Sequence, residues 1–322
     1  MLVTGPNGVG KTNLLESLHL GTQGFSPRSR TDAQLIRFGE QAARVAVTGH
    51  AASRPVDITV TLRAGQAKEA RLNGARLPSA EALRREVSTL VFTPDRLSIV
   101  KGGPAVRRAY FDRVLSRLQA ARAGLPQAYL SALAQRNAAL RRAQLGLSDR
   151  SSVEPWTEQV ALLGRELVEQ RLATLASLSG GFSEYAGALG LTDAILDYQG
   201  DAPSRVELES RLDRDVERGT TGAGPHLHDV VVASGSRDLR QYGSQGEQRL
   251  AVLSLLLAEA SLLAAPPLLL LDDVLSELDP DRRRILAGLV DDRGQTVITA
   301  THASALPATP AQIVEVEPGT AR

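Results

Sequence analysis

The sequence of 322 residues contains no cysteine, only three lysines and few aromatic residues, and its formal net charge is +1. Without cysteine the chain can form neither disulfide bonds nor thiolate metal sites. Because the net charge is small, any contact with nucleic acid must come from a local basic patch. No apolar run approaches the ~20 residues of a membrane-spanning helix, and the first residues do not follow the signal-peptide pattern. We therefore expect a cytoplasmic protein of one or two domains without a membrane partner.

One of the three lysines lies in a glycine-rich motif near the start of the chain. Residues 2–20 read LVTGPNGVGKTNLLESLHL and fit the pattern G-x-x-x-x-G-K-[ST] between a short apolar run and a helix. The glycines allow backbone N–H groups to converge on an anion. Lys11 would reach the β and γ phosphates, and the Thr12 hydroxyl is placed for Mg²⁺. The motif predicts a nucleoside triphosphate site; the alternative is a glycine-rich turn before an ordinary helix.

Apolar periodicity predicts strands, then helices, then strands again. Period-two alternation over residues 43–49 and 56–63 predicts a largely antiparallel sheet, followed by a strand at 69–72 and an Asn-Gly turn. Spacings of three and four over residues 105–185 predict two or three antiparallel helices, and residues 203–218 read as one charged helix. The arginines of the first helical segment either form a solvated face or touch DNA; they are Arg113, Arg117, Arg122, Arg136, Arg141 and Arg142.

Other polar residues allow two interpretations each. Candidates for phosphate contact are Arg28 and Arg30 in a polar loop, and Lys101, Arg107 and Arg108 around a Gly-Gly-Pro turn. The alternative is that this loop and this helix start are simply solvated. His226 and His228 could ligate a metal, but no partner cluster accompanies them, and we favour a structural turn.

Two segments of the second half complete the chemistry of a triphosphate site. Residues 241–249 read QYGSQGEQR and lead into an apolar helix, so a hydroxyl, N–H groups and a helix dipole are available to an anion. The apolar run 268–271 ends at two carboxylates. Asp272 is the better partner for Mg²⁺, and Asp273 is the better candidate for positioning the attacking water. His302 follows the next apolar run and is either a sensor of the γ-phosphate or an ordinary loop histidine.

These segments, in this order, resemble the ABC-type ATPase heads of the SMC class, and more closely the RecF family of bacterial DNA replication and repair proteins. The resemblance is carried by GPNGVGKTNLLE (5–16), PDRLSIVKGGPAVRRAYFD (94–112), YGSQGEQR (242–249) and LLLLDDVLSELDPDRRRIL (268–286), with GPH at 224–226 as a weaker match. It implies an α/β fold: an ABC-type ATPase head, made of a P-loop NTPase sheet with an antiparallel β subdomain, plus an inserted α-helical arm. The head would comprise residues 1–104 and 219–322, and the arm residues 105–218.

The resemblance also implies a role for each matching residue. ATP would be bound by Gly5, Pro6, Asn7, Gly8, Val9, Gly10, Lys11, Thr12 and Asn13, and from a second subunit by Ser244, Gln245, Gly246, Glu247 and Gln248. Thr12 and Asp272 would hold Mg²⁺, while Lys11, Asp273 and His302 would act in hydrolysis. Residues 276–279 would form the D-loop. Asp273 stands where many ABC-type ATPases have glutamate, which suits slow hydrolysis that works as a switch.

At the level of function, the resemblance implies an ATP-dependent, DNA-binding recombination mediator of replication, gap repair and SOS induction. Two chains would dimerise around ATP on single-stranded, double-stranded or gapped DNA, with weak, DNA-stimulated hydrolysis. RecR- and RecO-type mediators and a RecA-type recombinase would be partners. The alternatives are an SMC-like scaffold switched by ATP and an ABC transporter subunit. The family also has an L-x-N-[FY]-R strand ahead of the loop; this sequence begins without it, so we expect a truncation or a misassigned start.

Overall fold

The computed structural model describes residues 1–29, 31–51, 54–291 and 293–322, and only the backbone of residue 81. Its strands are β1 (Leu2–Thr4), β2 (Ala42–Ala51), β3 (Arg54–Arg63), β4 (Glu69–Leu72), β5 (Ala75–Arg76), β6 (Thr89–Phe92), β7 (Ala194–Gln199), β8 (Asp229–Ser234), β9 (Arg237–Asp238), β10 (Leu268–Leu271), β11 (Thr296–Ala300), β12 (Ile313–Glu317) and β13 (Thr320–Ala321). Its α-helices are α1 (Lys11–Gln23), α2 (Ser98–Lys101), α3 (Pro104–Leu118), α4 (Leu125–Gln144), α5 (Glu154–Ala188), α6 (Arg205–Ser210), α7 (Leu212–Arg218), α8 (Leu239–Tyr242), α9 (Gln245–Leu262) and α10 (Pro280–Asp291). Short 3₁₀ helices span Asp32–Leu35, Ala80–Arg85, Pro94–Leu97, Ala120–Arg122, Arg150–Val153 and Ala303–Ala305.

The described residues fall into two compact units. Unit 1 consists of Met1–Leu97, Ala188–Gly190 and Leu263–Arg322, and unit 2 of Ser98–Gly187 and Leu191–Leu262. Over these same residues, no helix is both long enough and apolar enough to cross a membrane.

A mainly parallel sheet forms the centre of unit 1. Over the described residues it has six strands in the order β13-β12-β1-β11-β10-β6, and only β13 runs antiparallel to its neighbour. β6 is buried at every position and β10 at all but its first, as expected for parallel strands covered on both faces. Because β1, β10 and β11 are parallel, the segments that follow them emerge at the same edge of the sheet.

The second sheet of unit 1 is antiparallel, in the order β2-β3-β4-β5. Its apolar side chains alternate with polar ones, so that Ile58, Val60 and Leu62 are buried in one cluster with Leu20 of α1. The turn between β4 and β5 has positive φ at Asn73 (49°) and Gly74 (82°), the conformation that a two-residue hairpin turn requires. The predicted strands and turn are therefore confirmed.

Unit 2 is mainly helical. α3, α4 and α5 supply most of one apolar cluster, which includes Leu115, Tyr129 and Val160, so the predicted helices over residues 105–185 are confirmed. The expectation of one helix over residues 203–218 is wrong, because the structure has α6 and α7. The break allows Leu208 to be buried in the first cluster and Val216 in a second.

The unit boundaries differ from the sequence-based domain limits. Residues 219–262, which the resemblance assigns to the head, belong to unit 2. Ion pairs join these residues to the helices of unit 2: Asp229 pairs with Arg107 of α3 at 2.6 Å, and the buried Glu259 of α9 pairs with Arg117. The assignment of residues 1–104 and 219–322 to one functional head stays a prediction.

Candidate nucleotide-binding site

The loop between β1 and α1 depends on glycine at three positions. Gly5, Gly8 and Gly10 have φ angles of 147°, 80° and 116°, which side-chain-bearing residues rarely adopt. At Gly5 a Cβ atom would also lie 2.6 Å from the carbonyl oxygen of Val316. The loop leads directly into α1, and the N-terminus of a helix favours bound anions. The backbone therefore forms a site suited to phosphate.

The ammonium group of Lys11 lies against this loop. Its Nζ donates to the carbonyl oxygens of Gly5 (2.7 Å) and Pro6 (2.9 Å). These acceptors are neutral, whereas phosphate oxygens are charged and form stronger hydrogen bonds with an ammonium group. Lys11 can therefore exchange the loop carbonyls for the oxygens of a bound phosphate.

One buried hydroxyl connects the carboxylate of Asp272 with the backbone of Asp273 after β10. Thr299 of β11 is only 1% exposed, and its Oγ1 donates to Oδ1 of Asp272 at 2.9 Å. The same Oγ1 accepts the backbone N–H of Asp273 at 2.8 Å. Thr12 Oγ1 donates to Asp272 Oδ1 as well, at 3.1 Å. The structure thus brings Thr12 and Asp272 into direct contact, and Thr299, which sequence reasoning missed, binds the same carboxylate oxygen.

Thr299 has a recognisable signal in the sequence. It lies in the run TVITA, where a strand buried at this position would ordinarily carry an aliphatic side chain. A polar residue buried in such a strand needs a hydrogen-bond partner. That reasoning points to a neighbouring polar group, although it does not identify Asp272 as the partner.

Asp273 and His302 follow adjacent strands. Asp273 is the second residue after β10, with an exposed side chain and a φ of 50°, a left-handed conformation that its bond to Thr299 supports. His302 comes after β11, is exposed, and has extended backbone ahead of a 3₁₀ helix. Both residues therefore lie at the sheet edge that also carries the glycine-rich loop, while their catalytic roles stay predictions.

The residues present fit a magnesium ion. Mg²⁺ prefers hard oxygen ligands and takes most of them from water and substrate phosphates. The Thr12 hydroxyl and the Asp272 carboxylate offer two such oxygens 3.1 Å apart. No group of three or more histidine and carboxylate side chains within the described residues suits a metal. Two protein oxygens leave the other positions around Mg²⁺ to water and to the phosphates of a nucleotide.

The Ser-Gly segment of unit 2 forms a capped helix start. The N–H of Glu247 donates to Ser244 Oγ at 3.2 Å, and the N–H of Ser244 donates to Glu247 Oε2 at 2.8 Å, which is a capping box at the start of α9. Arg237 also contacts Glu247 at 2.9 Å. The hydrogen bond from the Ser244 N–H, followed by that from Arg237, lowers the pKa of the Glu247 carboxyl. These contacts favour the ionised form of Glu247, which caps the start of α9.

The five residues assigned to this segment differ in exposure. Ser244, Gln245 and Gly246 are exposed, and Glu247 is half-buried. Gln248 differs from the expectation, because its side chain is buried and its Nε2 donates to the carbonyl of Leu239 at 2.7 Å. Contact with a second subunit's nucleotide stays a prediction for the exposed residues, whereas the Gln248 amide serves the interior of unit 2.

Several arginines considered for phosphate or DNA contact form ion pairs or hydrogen bonds within unit 2. Arg107 binds Asp229, Arg108 donates to the carbonyl of His228 at 2.5 Å, Arg117 pairs with Glu259, Arg122 pairs with Glu166, and the fully buried Arg136 binds Asp215 at 2.8 Å. Lys101, Arg113, Arg141 and Arg142 are exposed, and a DNA contact there stays a prediction.

The remaining polar candidates divide in the same way. Arg28 lies 3.8 Å from Glu16 and is partly exposed, while Arg30 lies outside the described residues. His226 and His228 hydrogen-bond to the hydroxyls of Tyr129 (2.7 Å) and Tyr198 (2.8 Å), which favours the structural turn over a metal site.

Comparisons with known proteins agree with this geometry. Residues 1–320 match the family model described as the RecF/RecN/SMC N terminal domain. A protein of Heliobacterium modesticaldum named DNA replication and repair protein RecF is 37% identical over 319 residues, covering 94% of this chain and 86% of that protein. A protein of the same name from Myxococcus xanthus is 37% identical over 329 residues, covering 94% and 85%.

Solved structures show the same fold. The structure of the recombination mediator protein RecF with ATP in the RecFOR pathway is similar with a TM-score of 0.86 and 28% identity, covering all of this chain and 90% of that one. An SMC head bound to the C-terminal winged-helix domain of ScpA has a TM-score of 0.60 at 17% identity, covering 100% and 88%, and supports the fold alone. The predicted ABC-type ATPase fold is confirmed. The comparisons favour a replication and repair role over the scaffold and transporter alternatives.

Proposed function

Because the chain belongs to the RecF family of DNA replication and repair proteins, we propose that it binds ATP and DNA and acts as a recombination mediator. The observation that carries the proposal is the contact of Thr12 with Asp272, which joins the start of α1 to the end of β10. Beside it, Lys11 lies on a glycine-rich loop. This is the arrangement that P-loop ATPases use to bind a triphosphate together with its metal.

In this proposal each residue of the nucleotide site has a distinct role. The loop N–H groups and Lys11 bind the phosphates, while Thr12 and Asp272 hold Mg²⁺. Mg²⁺, when bound, would neutralise charge on the phosphate oxygens. Asp273 orients the attacking water, and His302 contacts the terminal phosphate. Aspartate is one methylene shorter than glutamate, so it reaches the water less well, and we propose slow hydrolysis that acts as a switch.

The proposal extends to assembly and partners. The exposed Ser244 segment of one chain would contact ATP bound by a second chain, so that ATP links the two copies. The dimer would bind single-stranded, double-stranded or gapped DNA in the cytoplasm, with DNA stimulating hydrolysis. RecR- and RecO-type mediators and a RecA-type recombinase would then act with it in gap repair and SOS induction. The family relationship and the exposed capped helix start of α9 support these steps.

The first experiment measures mass and DNA affinity with and without ATP. Light scattering should show a monomer alone and a dimer with Mg²⁺ and ATP, and fluorescence anisotropy should show tighter DNA binding in the second state. Lys11→Ala is the matched variant, because it should abolish both changes. An oligomeric state and a DNA affinity that ATP leaves unchanged would contradict the proposal.

A second variant tests the role of hydrolysis. Asp273→Asn removes the carboxylate while keeping the shape of the side chain. We expect it to dimerise on DNA with ATP but to dissociate more slowly than the wild-type protein. Unchanged dissociation in a stopped-flow competition experiment would instead support a scaffold for which ATP binding alone is the switch.

A further inference from the structure

The antiparallel sheet of unit 1 has a solvent-exposed face that the nucleotide site does not use. Strand pairing aligns Arg44 with Thr61, Thr59 with Arg71, and Arg71 with Arg76. Because side chains alternate along a strand, these residues share one face, opposite to the apolar cluster that includes α1. We call this surface the basic sheet face; it consists of Ala42, Arg44, Ala46, Thr48, His50, Pro55, Asp57, Thr59, Thr61, Arg63, Glu69, Arg71 and Arg76.

Positive charge is concentrated on this face. Its four arginines outnumber two carboxylates, in a chain whose whole formal net charge is only +1. Arg63 and Arg71 remain 49% and 53% exposed although both approach Glu69, at 3.8 and 2.9 Å. The hydrogen bond from Arg71 lowers the pKa of Glu69, and the charges of Arg71, Arg76 and Arg63 add to this effect. The positive charges of Arg63, Arg71 and Arg76 are therefore concentrated around Glu69.

The arginines stand among small side chains. Ala42, Ala46 and Thr48 line β2, and Thr59 and Thr61 line β3. Small residues leave the guanidinium groups as the highest points of the face, and threonine hydroxyls can donate to phosphate oxygens. Among the described residues of the face, Pro55 at the start of β3 is the only apolar residue larger than alanine.

The dimensions and composition favour a duplex over an unpaired strand. Neighbouring strands lie ~4.8 Å apart, so four strands place basic groups over roughly 15 Å, comparable with the ~12 Å major groove between two phosphate rows. Proteins that bind unpaired strands use aromatic side chains as stacking platforms. The described residues of this face include no phenylalanine, tyrosine or tryptophan.

We propose that the basic sheet face binds the phosphate backbone of duplex DNA. The inference rests on the proposed DNA-binding function and goes beyond it by assigning the contact to arginines of β2 to β5. Because the contact is to phosphates, it contributes affinity and orientation without reading base sequence.

The test is the salt dependence of duplex binding by the full chain with ATP. The probe is a fluorescein-labelled duplex of mixed sequence, and the variant carries Arg44→Gln, Arg63→Gln and Arg76→Gln, which leaves the Arg71–Glu69 pair in place. Each phosphate contact contributes about −0.9 to the slope of log K against log salt. We expect the slope to become less steep by up to ~2.7, and affinity near ~0.1 M salt to fall by roughly one to two orders of magnitude.

Three further variants and a folding measurement separate the effect of charge from that of folding. The triple Arg→Lys variant keeps the charges and should keep most of the slope. Arg44→Gln alone should change the slope by about 0.9, whereas Arg284→Gln, on an arginine that is 68% exposed in α10, should leave it unchanged. Thermal unfolding of each variant shows whether the sheet is intact.

The outcomes distinguish this inference from the function on which it rests. A wild-type chain that fails to bind duplex DNA with ATP would refute both. A wild-type chain that binds, together with a folded triple Gln variant of the same slope and affinity, would refute only the assignment to this face. In that case the arginines would be free to contact an acidic protein surface instead. A single-stranded probe should lose less affinity than the duplex when the arginines are replaced.

Discussion

Replacing Thr299 by valine tests the centre of the proposed site, because valine keeps the shape of threonine and removes only the hydroxyl. Thr299 Oγ1 donates to Asp272 at 2.9 Å and accepts the N–H of Asp273 at 2.8 Å. A hydrogen bond to a charged group contributes ~1.5–3 kcal/mol, and a buried donor without an acceptor costs ~1–3 kcal/mol. Asp272 keeps its hydrogen bond from Thr12, so the lower ends of both ranges apply. We expect the free energy of unfolding to fall by about 2–3 kcal/mol.

The same substitution should affect hydrolysis more than nucleotide binding. The left-handed backbone of Asp273 loses the hydrogen bond that supports it, so its carboxylate is no longer held in one position. A loss of ~1.4 kcal/mol in transition-state stabilisation corresponds to about a tenfold lower turnover. Lys11 and the glycine-rich loop are untouched, and ATP affinity should therefore change less than turnover.

Urea denaturation and a steady-state phosphate-release assay at saturating ATP measure these two effects. Thr299→Ser is the matched control, because serine keeps the hydroxyl and loses only a methyl group, at ~1 kcal/mol of stability. Serine should retain most of the turnover. Equal turnover in the valine variant and the wild-type chain, or equal losses in the valine and serine variants, would refute the role assigned to the hydroxyl.

Three further predictions concern the loop, a buried ion pair and a histidine. Gly5→Ala should weaken ATP binding in calorimetric titrations by tenfold or more, because a side chain at φ 147° costs ~1–3 kcal/mol and would also meet a backbone oxygen at 2.6 Å. Asp215→Ala should lower the free energy of unfolding by ~3–5 kcal/mol, because it leaves the fully buried charge of Arg136 without its carboxylate, whereas Asp213→Ala, in an exposed pair, should change it by less than ~1 kcal/mol. Burial lowers the pKa of His228 from 6.5 to about 4. As pH falls through this range, the unfolded chain binds a proton at this histidine before the folded chain does, so the free energy of unfolding should decrease from pH 6.5 to pH 4. His228→Gln should weaken this pH dependence in thermal unfolding measured at a series of pH values. Equal losses of unfolding free energy in the Asp215 and Asp213 variants would contradict the second prediction, and a pH dependence that His228→Gln leaves unaltered would contradict the third.

Local sequence patterns predicted most of the elements correctly. Alternation identified β2 and β3, and the Asn-Gly pair identified the turn after β4, because these signals act between neighbouring residues. The expectation of one helix over residues 203–218 failed because two separate apolar clusters bury Leu208 and Val216, and cluster membership is not a local property.

The arginines show the same division. In the sequence, Arg107 and Arg136 look like surface charges on helices, and both were candidates for phosphate or DNA contact. In the structure they are buried beside Asp229 and Asp215, residues distant along the chain. Arg44 stands in an alternating strand, and only strand pairing reveals that it shares a face with arginines of three other strands.

The sequence by itself determined the glycine-rich loop, the lysine and threonine that follow it, and the carboxylates after an apolar run, because each depends on short spacing and on residue type. Only the tertiary structure decided which distant groups meet. It placed the hydroxyl of Thr299 between Asp272 and Asp273, and it buried Gln248 while leaving Ser244 exposed. The physical reason is that hydrogen bonding and burial depend on distances across strands and helices, which the order of residues does not specify.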